Sequence, residues 1–261
     1  MKIGFLGPKG TFSYEACNQY GIENEFIEYK TIKDTILGLK NNEVSEVIVP
    51  IENSIQGGVT ETIDTLIEND NIHIKKEIIL KITHNLMANK NYNFNEIKEI
   101  YSHPQALAQC RNYIQKNLIN ANIYPVSSTA IAAKEIKNKD YCACIANKSC
   151  TKEYELTLLD ENIQDNNLNQ TKFWVLSKEE NKVGEKMSII FSTQNKPGAL
   201  YKVLGLFNEY DVNLTKIESR PAKTVLGEYI FLVDIEVSSK IYSAIEILKQ
   251  ECSYLKILGR Y

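Results

Sequence analysis

Four short segments of the chain place hydroxyls, amides and glycine directly after β-rich runs. They are Gly7-Pro8-Lys9-Gly10-Thr11-Phe12-Ser13 after Leu6, Pro50-Ile51-Glu52-Asn53-Ser54-Ile55-Gln56-Gly57-Gly58 after Val49, Ser102-His103-Pro104-Gln105 after Tyr101, and Ser127-Ser128-Thr129 after Val126. Each reads as a strand-to-helix turn. In an open α/β sheet such turns gather at the carboxyl edge of the strands, where the following helices present free N–H groups. Four helix N-termini facing one crevice suit an anion with several oxygens. Ser, Thr and Asn are also ordinary helix caps, so capping alone explains any one of the turns. It is the four together that point to a site.

Other chemistry is less well supported. Gly7 to Thr11 lacks the Gly-Lys-Ser/Thr ending of a phosphate loop. His103 is the one histidine inside these segments, and His73 and His84 lie far from it in sequence, so a metal triad is not expected. The six cysteines, Cys17, Cys110, Cys142, Cys144, Cys150 and Cys252, have no CxxC spacing and are expected to be thiols in a reducing compartment. Cys142 and Cys144 sit one residue apart in the apolar run Tyr141 to Ala146, so in a strand they share a face and pack.

The elements that must position the four turns follow from the alternation of short β-rich runs with helical stretches between Lys2 and about Val175. This is the signature of α/β layering around a mostly parallel sheet. The strand runs are Ile3 to Leu6, Phe26 to Tyr29, Val47 to Val49, Glu99 to Tyr101, Ile123 to Val126 and Cys142 to Ile145. A polar stretch from Ser177 to Glu185 reads as a linker, which sets expected domains of 1–180 and 186–261. Beyond it come a strand (Met187 to Thr193), an amphipathic helix (Leu200 to Tyr210, with Leu200, Val203, Leu204 and Phe207 on one face) and a strand from Leu214 to Ser219. A strand from Tyr229 to Ile235, a helix from Ile241 to Cys252 and a last strand from Leu255 to Gly259 complete a βαββαβ order, a ferredoxin-like module of about 75 residues.

Composition narrows the partners. A chain of 261 residues, 43% hydrophobic and 24% charged, is long enough for two globular domains. Its net charge of −3 gives no basic field for nucleic acid or an anionic membrane. The apolar run at Met1 to Pro8 is too short for a signal peptide, and no segment approaches the ~20 apolar residues of a membrane span, so the cytoplasm is the expected location. These observations describe a two-part α/β protein with an anion crevice, and they leave an enzyme and a small-molecule binding module both open.

In order along the chain, Gly7-Pro8-Lys9-Gly10-Thr11-Phe12-Ser13, Val49 to Ser54 with Gly57, Ser102-His103-Pro104-Gln105 and Ser128-Thr129-Ala130 resemble the signature segments of prephenate dehydratase. A fifth segment, Asn169-Gln170-Thr171-Lys172-Phe173, resembles that family's Thr-Arg-Phe motif. Pro197-Gly198-Ala199-Leu200 and Ile217-Glu218-Ser219-Arg220-Pro221 look like the two phenylalanine-pocket motifs of its ACT domain. The resemblance implies a two-lobed catalytic domain of the type II periplasmic-binding-protein fold with the active site between the lobes, followed by an ACT regulatory domain.

It also implies roles. Prephenate would lose CO2 and its ring hydroxyl, chemistry that needs no cofactor and asks the protein to hold a dianion and assist the departing hydroxide. Thr171 would hydrogen-bond or donate a proton to that hydroxyl, and Phe173 would join the substrate-binding residues. Thr11, Asn53, Ser54, Ser102, Gln105, Ser128 and Thr129 would donate to the carboxylates and the keto group. Neutral donors suit the ring carboxylate, because a strong cation would stabilise the charge that decarboxylation must discharge. Lys172 would also bind the substrate, but it stands where the family usually has arginine, and because lysine lacks the planar fork that orients a carboxylate, weaker orientation is expected. Glu52 would be structural or orienting, and His103 would pack or hydrogen-bond near the cleft. Gly198, Ala199, Leu200, Glu218, Ser219, Arg220 and Pro221 would bind L-phenylalanine in a homodimer or dimer of dimers, as a feedback inhibitor. Arogenate dehydratase and a non-catalytic amino-acid sensor are the alternatives.

Overall fold

The computed structural model describes residues 1–222 and 228–261. It divides into two compact units, Met1–Thr62 with Ile78–Phe173, and Ile63–Glu77 with Trp174–Tyr261. The chain first forms β1 (Lys2–Leu6), α1 (Phe12–Gly21), β2 (Glu25–Tyr29), α2 (Ile32–Lys40), β3 (Glu46–Asn53), β4 (Gly57–Gly58), α3 (Thr60–Ile67) and β5 (His73–Lys81). Next come β6 (Asn85–Ala88), β7 (Glu99–Ser102), α4 (Pro104–Gln109), α5 (Arg111–Asn117), β8 (Asn122–Pro125), α6 (Thr129–Ile136), β9 (Cys142–Ala146), α7 (Ser149–Tyr154) and β10 (Thr157–Asp160). A long strand, β11 (Gln170–Ser177), precedes β12 (Lys186–Ser192), α8 (Ala199–Glu209), β13 (Leu214–Pro221), β14 (Tyr229–Glu236), α9 (Ile241–Glu251) and β15 (Tyr254–Arg260). No helix among the described residues is long and apolar enough to cross a membrane.

Two sheets build the N-terminal part. The first has the order β2-β1-β3-β11-β5, with β4 paired to β3, and β1 runs parallel to both β2 and β3. Val47, Ile48, Val49 and Ile51 of β3 are all fully buried, the near-continuous apolar run that a strand covered on both faces requires. The second sheet has the order β10-β6-β9-β7-β8. Here β7 is parallel to β8 and β9, while β6 runs against β9 and β10. The sheet is therefore mixed, where the sequence suggested mostly parallel pairing, because the chain enters it through β6 and leaves it through β10.

Strand β9 shows how the sequence pattern becomes two cores. All five of its residues are buried. Cys142, Cys144 and Ala146 pack with Ala130, Ala132, Ala133 and Ile136 of α6, and the small alanines let that helix approach closely. Ala143 and Ile145 face the other way, onto Ile100, Leu107, Cys110 and Ile114. The two cysteines share a face, as strand alternation dictates.

Three of the four turns singled out above cap helices. The Thr11 hydroxyl accepts from Tyr14 N–H at the start of α1, His103 Nδ1 accepts from Gln105 N–H at α4, and the Ser128 hydroxyl accepts from Ile131 N–H at α6. Pro104 at the first position of α4 forgoes an N–H that the helix would not have used.

The C-terminal unit carries the βαββαβ order, with its antiparallel sheet arranged β13-β14-β12-β15. Val203 and Phe207 of α8, and Ile241, Ala244, Ile245 and Leu248 of α9, cover Met187, Ile189 and Phe191 of the sheet. Those spacings are the helical stripe that one buried face requires. The unit also takes in residues 63–77, which linear boundaries near 180 and 186 assign to the first domain. Long-range polar contacts explain this: the Lys256 ammonium donates to the carbonyls of Leu66 at 2.6 Å and Asn69 at 2.7 Å, and Arg220 meets Asp64 at 2.8 Å.

Lys256 is only 8% exposed, and burial pulls its pKa down against the opposing pull of Asp70 at 3.6 Å. Replacing it by methionine keeps the apolar stem but orphans two carbonyls at the end of α3. Lys256→Met is expected to lose about 1–3 kcal/mol, read as a lower urea midpoint at unchanged slope. An unchanged midpoint would mean that those carbonyls do not depend on the ammonium.

Candidate active site

Within the N-terminal unit lies a cavity of about 320 Å³, a size suited to a small organic acid. The start of α1 (Thr11, Phe12, Ser13), the turn after β3 (Asn53, Gln56, Val59) and the run into β6 (Ile82, His84) form part of its wall. Residues His103, Gln105, Ala106 and Gln109 at α4, Ser127 to Thr129 at α6, and Asn169, Thr171 and Phe173 at β11 complete most of the rest. The lining contains no lysine, arginine, aspartate or glutamate among the described residues. Its polar character comes from hydroxyls, amides and two imidazoles.

Asn53 organises this lining. Its Oδ1 accepts the backbone N–H groups of Ile55 at 3.0 Å and Gln56 at 3.1 Å. An oxygen must therefore sit on that side of the amide, and Nδ2 must face the other way. There it lies 2.9 Å from Thr171 Oγ1, 2.8 Å from Asn169 Oδ1 and 3.2 Å from the Gln170 carbonyl. Thr171 is thus an acceptor toward Asn53, which leaves its O–H to donate elsewhere. Asn169 passes the same polarity on, since its Nδ2 donates to Gln109 Oε1 at 2.8 Å, and that oxygen is also 2.8 Å from His84 Nε2.

Of the residues expected to bind, Thr11, Asn53, Gln105, Ser128, Thr129, Thr171 and Phe173 line the cavity. The Thr11 hydroxyl already donates to the Leu6 carbonyl at 3.2 Å and accepts at the α1 cap, whereas Ser128 accepts at its cap and keeps a hydrogen to donate. Three others are placed differently. Ser102 is fully buried with its hydroxyl on the Ile145 carbonyl, so it ties β7 to β9 and does not line the cavity. Ser54 accepts from Gln170 N–H at 2.9 Å while its own N–H donates to the Gln170 carbonyl at 2.9 Å, so it holds β11 in register beside β3. Lys172 is flanked on β11 by Thr171 and Phe173, and alternation turns it to the opposite face, 3.5 Å from Glu52. That places Glu52 in a structural pairing behind the wall.

In the C-terminal unit Ala199 and Leu200 line a second cavity of about 160 Å³ with Asn195, Lys196, Tyr229 and Phe231. Gly198, at φ 80°, takes the left-handed conformation that starts α8 without a Cβ penalty. Glu218, Ser219, Arg220 and Pro221 do not line this cavity: Glu218 pairs with Lys216 at 3.1 Å and Arg220 with Asp64.

The site also contains Phe12, Ser13, Gln56, Ser127 and Asn169, which lie in the segments named above but were given no individual role, and His84 and Gln109, which lie outside those segments. Gln109 stands one helical turn after Gln105 and so shares its face, a signal present in the sequence. Asn169 stands two residues before Thr171, on the same side of an extended chain. His84 had no such signal. It is 3% exposed, its ring meets Phe12 edge-on with centroids 5.8 Å apart, and burial lowers its pKa, with the Gln109 hydrogen bond a smaller opposing effect.

The sequence pattern of the prephenate dehydratase family matches residues 3–181, and that of the ACT domain matches residues 187–253. The prephenate dehydratase of Methanocaldococcus jannaschii is 40% identical over 266 residues, covering 97% of this chain and 95% of that protein. The solved structure of prephenate dehydratase in complex with L-Phe from Arthrobacter aurescens has a TM-score of 0.91 at 32% identity, covering 99% of this chain and 89% of that one. A structure described as GqqA, a novel type of quorum quenching acylase, has a TM-score of 0.90 at 25% identity, covering 99% and 97%.

His84 couples the site to acid stability. Its folded pKa lies below the ordinary value of 6.5, so the unfolded chain binds a proton that the folded chain refuses as pH falls below that value. The stabilisation is present above pH 6.5 and is lost as pH falls through the folded pKa. The wild-type chain should lose stability over that window relative to His84→Gln, measured as urea midpoints from pH 7 downward. Parallel curves for the two proteins would contradict the shift.

Proposed function

We propose that this chain, which belongs to the prephenate dehydratase family and is an enzyme of that activity, converts prephenate to phenylpyruvate, CO2 and water under feedback control by L-phenylalanine. The orientation of Thr171 in a cavity of neutral donors carries this reading. With Asn53 Nδ2 donating to Thr171 Oγ1 at 2.9 Å, the threonine hydrogen is available to the substrate's departing hydroxyl. In the reaction the bond to the ring carboxylate breaks, its electron pair enters the ring, and the C–O bond across the ring breaks. The leaving hydroxide takes up a proton and departs as water, and aromaticity supplies much of the driving force.

The free hydroxyl of a threonine is a very weak acid, so its part is a hydrogen bond that strengthens as charge builds on the leaving oxygen, with proton transfer late or relayed. The N-terminal turns of α1 and α6 and the amides of Gln105 and Gln109 meet the carboxylates and the keto group. Keeping fixed cations out of the lining suits a step in which a carboxylate must give up its charge.

For regulation, the supporting observations are the cavity beside Ala199 and Leu200 and the L-Phe complex of the Arthrobacter aurescens structure. L-Phenylalanine acts by binding one state of the enzyme better than another, in a homodimer or dimer of dimers. Six free thiols suit a reducing cytoplasm.

Purified protein should release phenylpyruvate from prephenate, followed by ultraviolet absorbance, and added L-phenylalanine should lower the rate. Thr171→Val should cut turnover about 100-fold or more with the fold intact by circular dichroism. Near-wild-type turnover by that variant would remove Thr171 from the mechanism, and indifference to L-phenylalanine would remove the feedback assignment. Faster turnover of arogenate, offered side by side, would reassign the substrate.

A further inference from the structure

The imidazole of His84 touches the polar chain that ends at Thr171, and its hydrogen-bonding role there is dictated by its neighbours. Asn53 is fixed by two backbone N–H groups, and it fixes Asn169 in turn, so the group at 2.8 Å from Asn169 Nδ2 must be an acceptor: Gln109 Oε1. His84 Nε2 lies 2.8 Å from that same oxygen. It must carry the hydrogen, because the oxygen has none to give. Nδ1 is buried with no hydrogen-bond partner, a position in which a bare lone pair is tolerated better than an unsatisfied N–H. The backbone is held as well, since His84 N–H donates to Gln164 Oε1 at 2.8 Å, and Gln164 Nε2 donates to Asn167 Oδ1 at 2.7 Å.

We propose that His84 is a positioning residue for the dehydratase reaction, locking the Gln109 amide with its oxygen toward His84 and Asn169 and its NH2 toward the substrate. The proposal rests on the function assigned above. Two donors converge on Gln109 Oε1, so a flipped amide would set its NH2 against both. Removing the His84 donor leaves one, and the flipped amide, which presents an oxygen to an anionic substrate, becomes accessible.

His84→Phe keeps a flat ring against Phe12 and removes the donor, and it should lower kcat/KM for prephenate about 10-fold or more, the scale of one lost buried hydrogen bond. His84→Gln, which can offer an N–H at similar reach, should recover most of that loss. In a Gln109→Leu background, His84→Phe should cost nothing further. An equal loss in that background, or no recovery by His84→Gln, would overturn the proposal.

A second measurement stands apart from activity and from the folding of the Phe variant. In 15N-labelled wild-type protein, the His84 imidazole, assigned against His84→Gln, should carry its proton on Nε2 alone at neutral pH. A proton on Nδ1 instead would defeat the proposal. No turnover by the wild-type chain would overturn the assigned reaction, and the imidazole spectrum would still decide whether His84 orients Gln109.

Discussion

The site depends on which way round one carboxamide sits. Asn53 ends β3, and the turn that follows aims two backbone N–H groups back at its side-chain oxygen. Once that oxygen is engaged, the NH2 must face β11, and the donor or acceptor role of every group beyond it follows: Thr171 accepts, Asn169 accepts and then donates, Gln109 accepts. No charge is needed to set this polarity. It passes from backbone to side chain because a buried amide that faces the wrong way leaves polar atoms unpaired, which is costly.

The same economy of charge governs the rest of the cavity. The nearest ion pair on β11, Lys172 with Glu52, lies on the other face of the sheet. Alternation along the strand lets one three-residue motif serve both sides: Thr171 and Phe173 line the cavity, and Lys172 pairs with Glu52. Lys172 therefore bears first on the pairing with Glu52. Helix caps do double duty, since Thr11 and Ser128 begin α1 and α6 while lining the cavity.

Much of this was legible in the residues. Apolar runs such as Val47 to Val49 and Cys142 to Ile145 became buried strands, and the stripe of Val203 and Phe207 became the inner face of α8. What escaped was set by distant partners. β5, from His73 to Lys81, buries Ile74, Ile78 and Leu80 on one face, but Lys75, Lys76 and Glu77 in succession interrupt that alternation. Residues 63–77 join the C-terminal unit through Arg220 and Lys256, more than a hundred positions away. Ser102 and Ser54 look like ligand donors in the sequence, yet the carbonyl of Ile145 and the backbone of Gln170 claim them. A hydroxyl announces that it will bond, but not to what. Gln109 could have been found from its spacing to Gln105, whereas His84 could not.

Asn53 and Thr171 stand 118 residues apart. Between them the chain must complete the whole second sheet before β11 can return to lie beside β3. Pairings of such sequence separation form slowly, because the loop must close before the contacts reward it. On the ribosome, a chain that has emerged only to Asn167 holds the caps of α1, α4 and α6 and the turn after β3, but neither Asn169 nor Thr171. The lining of the cavity in this architecture is thus complete only once Asn169, Thr171 and Phe173 have been added, well after most of its walls have been synthesised.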